Sequence, residues 1–167
     1  MVNSTQPQTA TRKQKIGTAA ALVAAIAAPA EGIRQYAYYD PPGVLTVCMG
    51  HTGPDVKKDV FYSKPQCDTL LEQDALKAVK QVDACVPDAP MSVLVAFGDA
   101  AFNLGSKIAC DVHQSTAARK LAAKDWVGAC QELPRWDKAK VAGFMVPLPG
   151  LTKRRNMEYT YCMKGFV

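Results

Sequence analysis

The sequence predicts an α+β fold, with a small antiparallel sheet near the front of the chain and mostly helix behind it. Between Tyr36 and Tyr62, aromatic and β-branched residues mix with Gly and Pro, which is typical of short strands joined by tight turns. From residue 64 onward, apolar residues recur at helical spacing between Pro-rich and Gly-rich breaks. Because strands and helices are grouped rather than alternating, we do not expect a parallel α/β sheet.

Length and composition fit one globular domain. The chain has 167 residues, of which 49% are hydrophobic and 21% charged, so it can bury a core. This length excludes a multi-domain enzyme, and this composition excludes wholesale disorder. The net charge of +5 favours anionic partners such as membranes, nucleic acid or cell wall, without selecting among them.

The first 30 residues have the layout of an export sequence. Residues 1–15 are polar and predict a flexible basic tail, and the apolar run 16–30 follows. The run ends in Ala28-Pro29-Ala30, which resembles a signal cleavage site. It is rich in Ala and shorter than the roughly 20 residues that span a bilayer comfortably, so it would be a poor permanent anchor. The alternative is an ordinary Ala-rich core helix of a cytosolic protein.

Caps and chain breaks place five further helices. Ser63, Pro65 and Gln66 form the N-terminal signature of a long amphipathic helix over residues 64–83. The other expected helices run from Met91 to about Gly105, from Ser115 or Thr116 to Leu121, from Asp125 to Leu133, and from about Leu151 to Cys162.

Six widely spaced cysteines indicate up to three disulfides in an oxidising compartment. They are Cys48, Cys67, Cys85, Cys110, Cys130 and Cys162. The count alone leaves the pairing open, and reduced buried thiols are the alternative. Cys48 and His51 have the spacing of half a zinc site, but no second ligand pair accompanies them, so we expect no metal site.

Glu31 and Asp40 are the candidate catalytic carboxylates. Two carboxylates facing each other across a cleft can divide the work of glycoside hydrolysis, one staying protonated and one directing water. Their spacing alone is also compatible with two ordinary surface acids.

The motifs around these carboxylates resemble those of bacteriophage lysozymes of glycoside hydrolase family 24. The catalytic region of that family is matched by Glu31-Gly32, Tyr38-Tyr39-Asp40, Gly43, Thr46, Cys48 and Gly50-His51-Thr52-Gly53. The resemblance continues in residues 70–74, 101–105, 128–130, 133–136 and 149–155, and in Glu158 and Cys162. It therefore covers residues 31–162.

The resemblance implies a lysozyme catalytic domain over residues 31–167, with a sheet lobe, helix 64–83 as the connection, a helical lobe and a cleft between them. It implies a monomer that hydrolyses the β-1,4 bond between N-acetylmuramic acid and N-acetylglucosamine of peptidoglycan, with inversion. Glu31 would protonate the leaving oxygen, Asp40 would direct the attacking water, and Thr46 would hold that water. No cofactor, metal or nucleic acid is implied.

Other residues have supporting roles in this reading. His51 is expected to brace the sheet lobe, and Asn103 and Trp136 either line the cleft or pack between helices. Arg154 or Arg155 either pairs with Glu31 or belongs to a solvated charge cluster. Two features depart from the family and concern the local cleft wall: Met49 and an insertion at Asp137–Val146. The expected disulfides are Cys48–Cys67, Cys85–Cys110 and Cys130–Cys162.

The resemblance also bears on the fate of the N-terminus. Family members hold the catalytic Glu at the end of a helix built from the preceding residues, so cleavage after Ala30 would destroy the site. Residues 16–30 therefore resemble a signal-arrest-release segment. The export machinery passes it uncleaved, it tethers an inactive enzyme in the host inner membrane, and it later releases active enzyme to the periplasm, with a holin acting indirectly. Residues 1–47 contain no cysteine, so disulfide exchange with the anchor is not expected.

Two other readings of the whole chain stay open at this stage. One is a conventionally secreted lysozyme whose signal is removed. The other is a membrane-anchored, non-catalytic peptidoglycan-binding protein that has kept the lysozyme fold.

Overall fold

A computed structural model of the chain describes residues 11–29, 32–40, 43–141 and 143–166. Residues 1–10, Ala30 and Glu31 lie outside the described residues, and with them most of the predicted tail and the predicted catalytic acid. The described elements are α1 (Arg12–Ala27), β1 (Arg34–Tyr39), β2 (Leu45–Cys48), β3 (His51–Thr52), α2 (Lys64–Cys85), α3 (Met91–Leu104), α4 (Lys107–Cys110), α5 (Thr116–Ala122), α6 (Trp126–Glu132), a 3-10 turn (Leu133–Trp136), β4 (Lys138–Val141), β5 (Phe144–Pro147) and α7 (Pro149–Met163).

Helix α2 joins the sheet lobe to the helical lobe. It begins at the predicted position, where the Ser63 hydroxyl accepts from the Gln66 amide and the Gln66 side chain accepts from the Ser63 amide. The buried side chains of α2 form a stripe along the helix, and α1 and α3 both pack against α2. The two-lobed α+β architecture expected from the sequence is confirmed.

Helix α1 contains most of the apolar N-terminal run and packs against α2 and α3. It begins at Arg12, where Thr11 and Gln14 form a capping box. The predicted tail is therefore wrong for residues 12–15, because the cap and the basic first turn already belong to the helix. None of the helices in the described part of the chain is both long and apolar enough to cross a membrane.

The three helices approach most closely at Gly98 of α3. A Cβ atom at this position would lie 2.8 Å from Val79 Cγ2 on α2 and 3.2 Å from Val23 Cγ2 on α1. Because interiors are close-packed, only a residue without a side chain fits there. Gly98 thus sets how near α1 and α2 can come to α3.

The sheet lobe is a three-stranded antiparallel sheet in the order β1-β2-β3. Tyr38 pairs with Thr46, and Val47 pairs with His51. Met49 and Gly50 make the turn between β2 and β3, and Gly50 has a φ of 88°, which favours glycine.

Three disulfides connect the elements in the predicted pairs. Cys48–Cys67 joins β2 to the first turn of α2, Cys85–Cys110 joins the end of α2 to α4, and Cys130–Cys162 joins α6 to α7. All six cysteines are used, so Cys48 carries no thiolate for a metal.

The region Asp137–Val146 forms a feature that the sequence analysis did not predict, the hairpin β4–β5. Its strands pair Ala139 with Val146 and Val141 with Phe144. Each strand has only four residues, which is too short for the alternation of apolar and polar residues to stand out in the sequence. The last helix starts at Pro149, two residues before the expected position, because Pro fits the first helical turn.

Candidate active site

Asp40 and Thr46 meet at the backbone of Val44, where β1 turns into β2. The Val44 amide donates to Asp40 Oδ1 over 2.7 Å, and the Thr46 hydroxyl donates to the Val44 carbonyl over 3.0 Å. The turn itself is held by the Asp40 amide donating to the Val44 carbonyl at 3.0 Å. Thr46 is buried and Asp40 is half-buried, and both side chains are hydrogen-bonded to the backbone of the same residue.

This arrangement determines which atoms are left for a ligand. The Thr46 proton is committed to the Val44 carbonyl, so the hydroxyl oxygen can only accept a further hydrogen bond. An ionised Asp40 also only accepts. A water molecule between them would donate both of its protons, leaving an oxygen lone pair free to attack.

A cleft of about 520 Å³ runs between the sheet lobe and the helical lobe. The sheet lobe contributes Met49, Gly50 and Thr52, and the end of α3 with the following turn contributes the opposite wall. The floor is formed by four residues of α2, Asp74, Lys77, Ala78 and Gln81. Met49, which departs from the family pattern, is thus a cleft residue.

Asn103 lies in the cleft wall, as one of its two predicted roles required. Its side-chain carbonyl accepts from Arg155 Nη2 over 3.3 Å, which leaves its amide group to donate to a ligand. Trp136, the other predicted substrate contact, is half-buried against the hydrophobic core and is not among the described residues that line this cleft.

Arg154 and Arg155 are buried, so the solvated charge cluster is wrong for them. Arg154 binds Asp99 of α3 with two parallel hydrogen bonds, Nε to Oδ2 at 3.0 Å and Nη2 to Oδ1 at 2.9 Å. Arg155 donates to Glu158 one turn later. Burial raises the pKa of Glu158 against the opposing charge of Arg155, and burial likewise lowers the pKa of Arg155.

His51 braces the sheet lobe against α2, in line with its predicted role. Its Nδ1 lies 2.8 Å from Asp74 Oδ2 on α2, and its Nε2 lies 3.0 Å from Asp55 Oδ2. Burial acts to lower the pKa of His51, but the two carboxylates outweigh it and raise the pKa above its ordinary value of 6.5. The hydrogen bond from His51 in turn lowers the pKa of Asp55.

Some residues of the site were missed by the sequence analysis. Asp99 stands within the apolar stretch of α3, and such an acid is a signal of a buried, paired charge. Asp74 and Lys77 carry no comparable signal, because an acid and a base on an amphipathic helix are usually solvated. Glu31 lies outside the described residues, so its pairing with Arg154 or Arg155 stays a prediction.

Known proteins similar to this chain agree with the fold and the motifs. The family model described as phage lysozyme matches residues 28–158. The SAR-endolysin of Bacteriophage PS119 is 35% identical over 136 residues, covering 81% of this chain and 77% of the relative. The SAR-endolysin of Enterobacteria phage P21 is 34% identical, covering 81% and 78%.

Among solved structures, the active form of P1 phage endolysin Lyz has a TM-score of 0.73 at 24% identity, with 95% of this chain and 96% of that chain covered. The secreted inactive form of the same endolysin has a TM-score of 0.52 at 26% identity, with 69% and 78% covered. The family match, the identities and the two-lobed fold agree: the chain belongs to the phage lysozyme family, a group of lysozyme-type glycoside hydrolases, and SAR-endolysins are among its relatives.

Proposed function

We propose that the chain is an endolysin that hydrolyses the β-1,4 bond between N-acetylmuramic acid and N-acetylglucosamine in peptidoglycan. The observation that carries this proposal is the pair of acceptors, Asp40 and Thr46, both hydrogen-bonded to the backbone of Val44 just before β2. A rigid pair of acceptors can orient one water molecule before reaction, which lowers the entropic part of the barrier.

In this mechanism Asp40 takes a proton from the water as its oxygen attacks the anomeric carbon. Thr46 accepts the second hydrogen bond and fixes the direction of attack. Glu31 supplies a proton to the leaving glycosidic oxygen from the other side of the sugar. Attack by a water held opposite the leaving group inverts the anomeric centre.

Lysis and product analysis test these roles. Glu31→Gln and Asp40→Asn should each abolish clearing of chloroform-treated Gram-negative cells while leaving the circular dichroism spectrum unchanged. Glu72→Gln changes an exposed carboxylate of α2 and is the matched control, which should lyse at the wild-type rate. NMR of the fresh product should show the inverted anomer. If the Glu31→Gln protein clears the cells at near the wild-type rate, Glu31 is not the catalytic acid.

We further infer that the enzyme is activated when the N-terminal segment leaves the inner membrane and docks as α1. The larger side chains of α1, Ile16, Leu22 and Ile26, are only partly buried against the core. The fully buried contacts are made mostly by small side chains, those of Ala19, Ala20, Val23, Ala24 and Ala27. Helix α1 ends at Ala27, shortly before Glu31 in the sequence, so in this proposal the position of the acid depends on the docking of α1.

A buried acid supports this docking step. Arg12 Nε donates to Asp83 Oδ2 over 2.7 Å, and the Arg12 Nη2 group lies 3.4 Å from the Asp83 main-chain carbonyl. Asp83 is only 2% exposed, and its other carboxylate oxygen has no hydrogen-bond partner among the described residues. Lys15 donates to the Ala89 carbonyl nearby.

In this proposal the basic residues near the start of α1 have one role before release and another after it. In the tethered protein, the positive charges before the apolar run favour the cytoplasmic side of the membrane. After release, Arg12 neutralises an acid that is costly to bury without a partner. The higher TM-score to the active form of the P1 endolysin than to its secreted inactive form supports assigning the docked arrangement to the active enzyme.

A further inference from the structure

Three aromatic side chains follow the outer edge of the sheet lobe, and we call them the aromatic edge: Tyr36, Tyr39 and Phe61. The segment leading to Tyr62 runs antiparallel to β1, with the Tyr62 amide donating to the Gln35 carbonyl at 2.8 Å. Tyr36 bridges to Phe61, and their ring centroids are 5.5 Å apart at an interplanar angle of 58°. The Lys58 ammonium lies 5.9 Å from the Tyr39 ring centroid.

The rings of the aromatic edge are open to solvent, with Tyr36 60%, Tyr39 62% and Phe61 52% exposed. Three further apolar side chains with high exposure belong to the same lobe: Ile33, Val44 and Val60. Soluble proteins seldom leave such side chains grouped at the surface, and contiguous patches of this kind mark interaction sites. The aromatic edge is therefore a candidate binding surface.

The aromatic edge leads directly to the candidate catalytic residues. Tyr39 is followed in the chain by Asp40, and Tyr36 lies three residues earlier on the same strand, at most about 10 Å away because the register shifts between Arg34 and Tyr38. A glycan strand bound beside Asp40 could therefore also contact the aromatic edge.

We propose that the aromatic edge binds a peptidoglycan glycan strand outside the cleft. This proposal rests on the proposed function, because it concerns the same polymer. Pyranose rings have apolar C–H faces that stack on exposed aromatic rings, and the paired rings of Tyr36 and Phe61 provide such a platform. Lys58 and Arg34, whose guanidinium lies 4.2 Å from the Tyr38 ring centroid, can pair with the carboxylates of the stem peptides.

The charges beside the edge favour a glycan over a membrane surface. Residues 33–40 and 55–61 have no net positive charge to attract anionic lipid headgroups, because the three bases balance the three acids: Arg34, Lys57 and Lys58 against Asp40, Asp55 and Asp59. Two of the three rings are tyrosines, whose hydroxyl groups can hydrogen-bond to sugar hydroxyls at the rim of the stack.

The test measures binding to purified sacculi and hydrolysis of a short soluble muropeptide oligomer with the full-length oxidised protein. Tyr36→Ser/Phe61→Ser should weaken binding to sacculi about tenfold and raise KM on sacculi to a similar extent. Hydrolysis of the oligomer, which fits inside the cleft, should stay within about twofold of wild type. The matched control is Phe144→Ser/Met145→Ser, which removes two exposed apolar side chains from the β4–β5 hairpin. Neither residue is among the described residues that line the cleft, so this variant should bind sacculi normally.

Two further variants address folding and chemistry. Tyr36→Leu keeps an apolar side chain but removes the flat ring, so it should lose affinity even if the serine pair is unstable. Tyr36→Trp keeps the ring and should retain wild-type affinity.

Unchanged binding of the Tyr36→Ser/Phe61→Ser and Tyr36→Leu proteins to sacculi would overturn the proposal, as would an equal loss in the control pair. If these variants bind sacculi normally but no longer bind phosphatidylglycerol vesicles, the edge is a membrane contact and the proposal is overturned. A wild-type protein that binds sacculi through the edge but hydrolyses no oligomer would instead refute the proposed enzymatic function.

Discussion

Helices α1 and α3 both pack against α2, but they are held in different ways. The buried side chains of α1 are four alanines and one valine. Helix α3 is buried along most of its length and contributes Val93, Leu94, Val95 and Phe97 to the core. Since burial scales with apolar area, α3 contributes far more of the hydrophobic free energy than α1 does.

Covalent connections follow the same division. Two of the disulfides join β2, α2 and α4, the third joins α6 to α7, and none of them includes α1. These three bonds can therefore form without α1 taking part. The comparison shows a crosslinked core beside a helix that is not crosslinked and buries smaller side chains, which is what the proposed release of α1 requires.

The largest expected effect comes from making α1 more apolar without disturbing its docking. Ala21 and Ala25 lie on the exposed side of α1, so Ala21→Leu/Ala25→Leu leaves the buried face intact. The six added carbons favour the membrane by about 5 kcal/mol. The variant should stay in the membrane fraction after the proton-motive force is collapsed, and cells should not lyse.

Ala21→Ser/Ala25→Ser is the control at the same two positions, and it should release and lyse on the wild-type schedule. The choice of exposed positions matters, because leucine at the buried Ala20 or Ala24 would also impair packing of the released helix. Lysis by the leucine variant at the normal time would end the release model.

The second effect compares the largest fully buried side chain of each helix, truncated to alanine. Phe97→Ala empties a fully buried site in α3 and should reduce the free energy of unfolding by about 3 to 5 kcal/mol. Val23→Ala removes two methyl groups from α1 and should cost only about 2 kcal/mol. Urea unfolding of the oxidised proteins measures both, and equal losses would show that α1 is as integral as α3.

The Arg12–Asp83 pair should have a smaller effect, because Arg12 is largely exposed while Asp83 is buried. We expect Arg12→Ala to cost about 1 kcal/mol and to increase hydrogen exchange in α1 more than in α3. Lys13→Ala, one residue further along the exposed face, should change neither quantity. If hydrogen exchange in α1 of the Arg12→Ala protein equals that of wild type, the pair does not stabilise the docked helix.

The smallest expected effect is a pH dependence of the melting temperature, which arises in the sheet lobe rather than in α1. The pKa of His51 is raised above 6.5 in the folded protein, so protonated His51 stabilises the fold below that pH. This contribution is lost as the pH rises through the raised pKa. Melting temperatures between pH 6 and pH 9, at about half-unit intervals, should show this loss in wild type and in His113→Gln, but not in His51→Gln. A slope that survives in His51→Gln would assign it to another group.

The sequence predicted elements that depend on local signals. The Ser63 and Gln66 capping box placed the start of α2 because the cap involves residues three positions apart. Asp40 and Thr46 were named from the family motif, and in the structure they lie on the two sides of the short turn between β1 and β2. Their link through the Val44 backbone is a detail that required atomic positions.

Long-range contacts could not be predicted in the same way. Arg12 and Asp83 are 71 positions apart, and Arg154 and Asp99 are 55 apart, so no local pattern connects them. The apolar run looked like an export segment because Ala-rich helices fit both a bilayer and a closely packed helix interface. The close packing of Val23 of α1 and Val79 of α2 against Gly98 of α3 is visible only in the structure.

The intact mass of the lytic enzyme tests the central claim, that α1 is part of the active protein. Soluble periplasmic protein would be purified at the onset of lysis, assayed on sacculi, and weighed by mass spectrometry. The account predicts that the active species has the mass of the whole chain, 18.0 kDa, and so retains Arg12–Ala27. An active species that lacks residues 1–30 would contradict it.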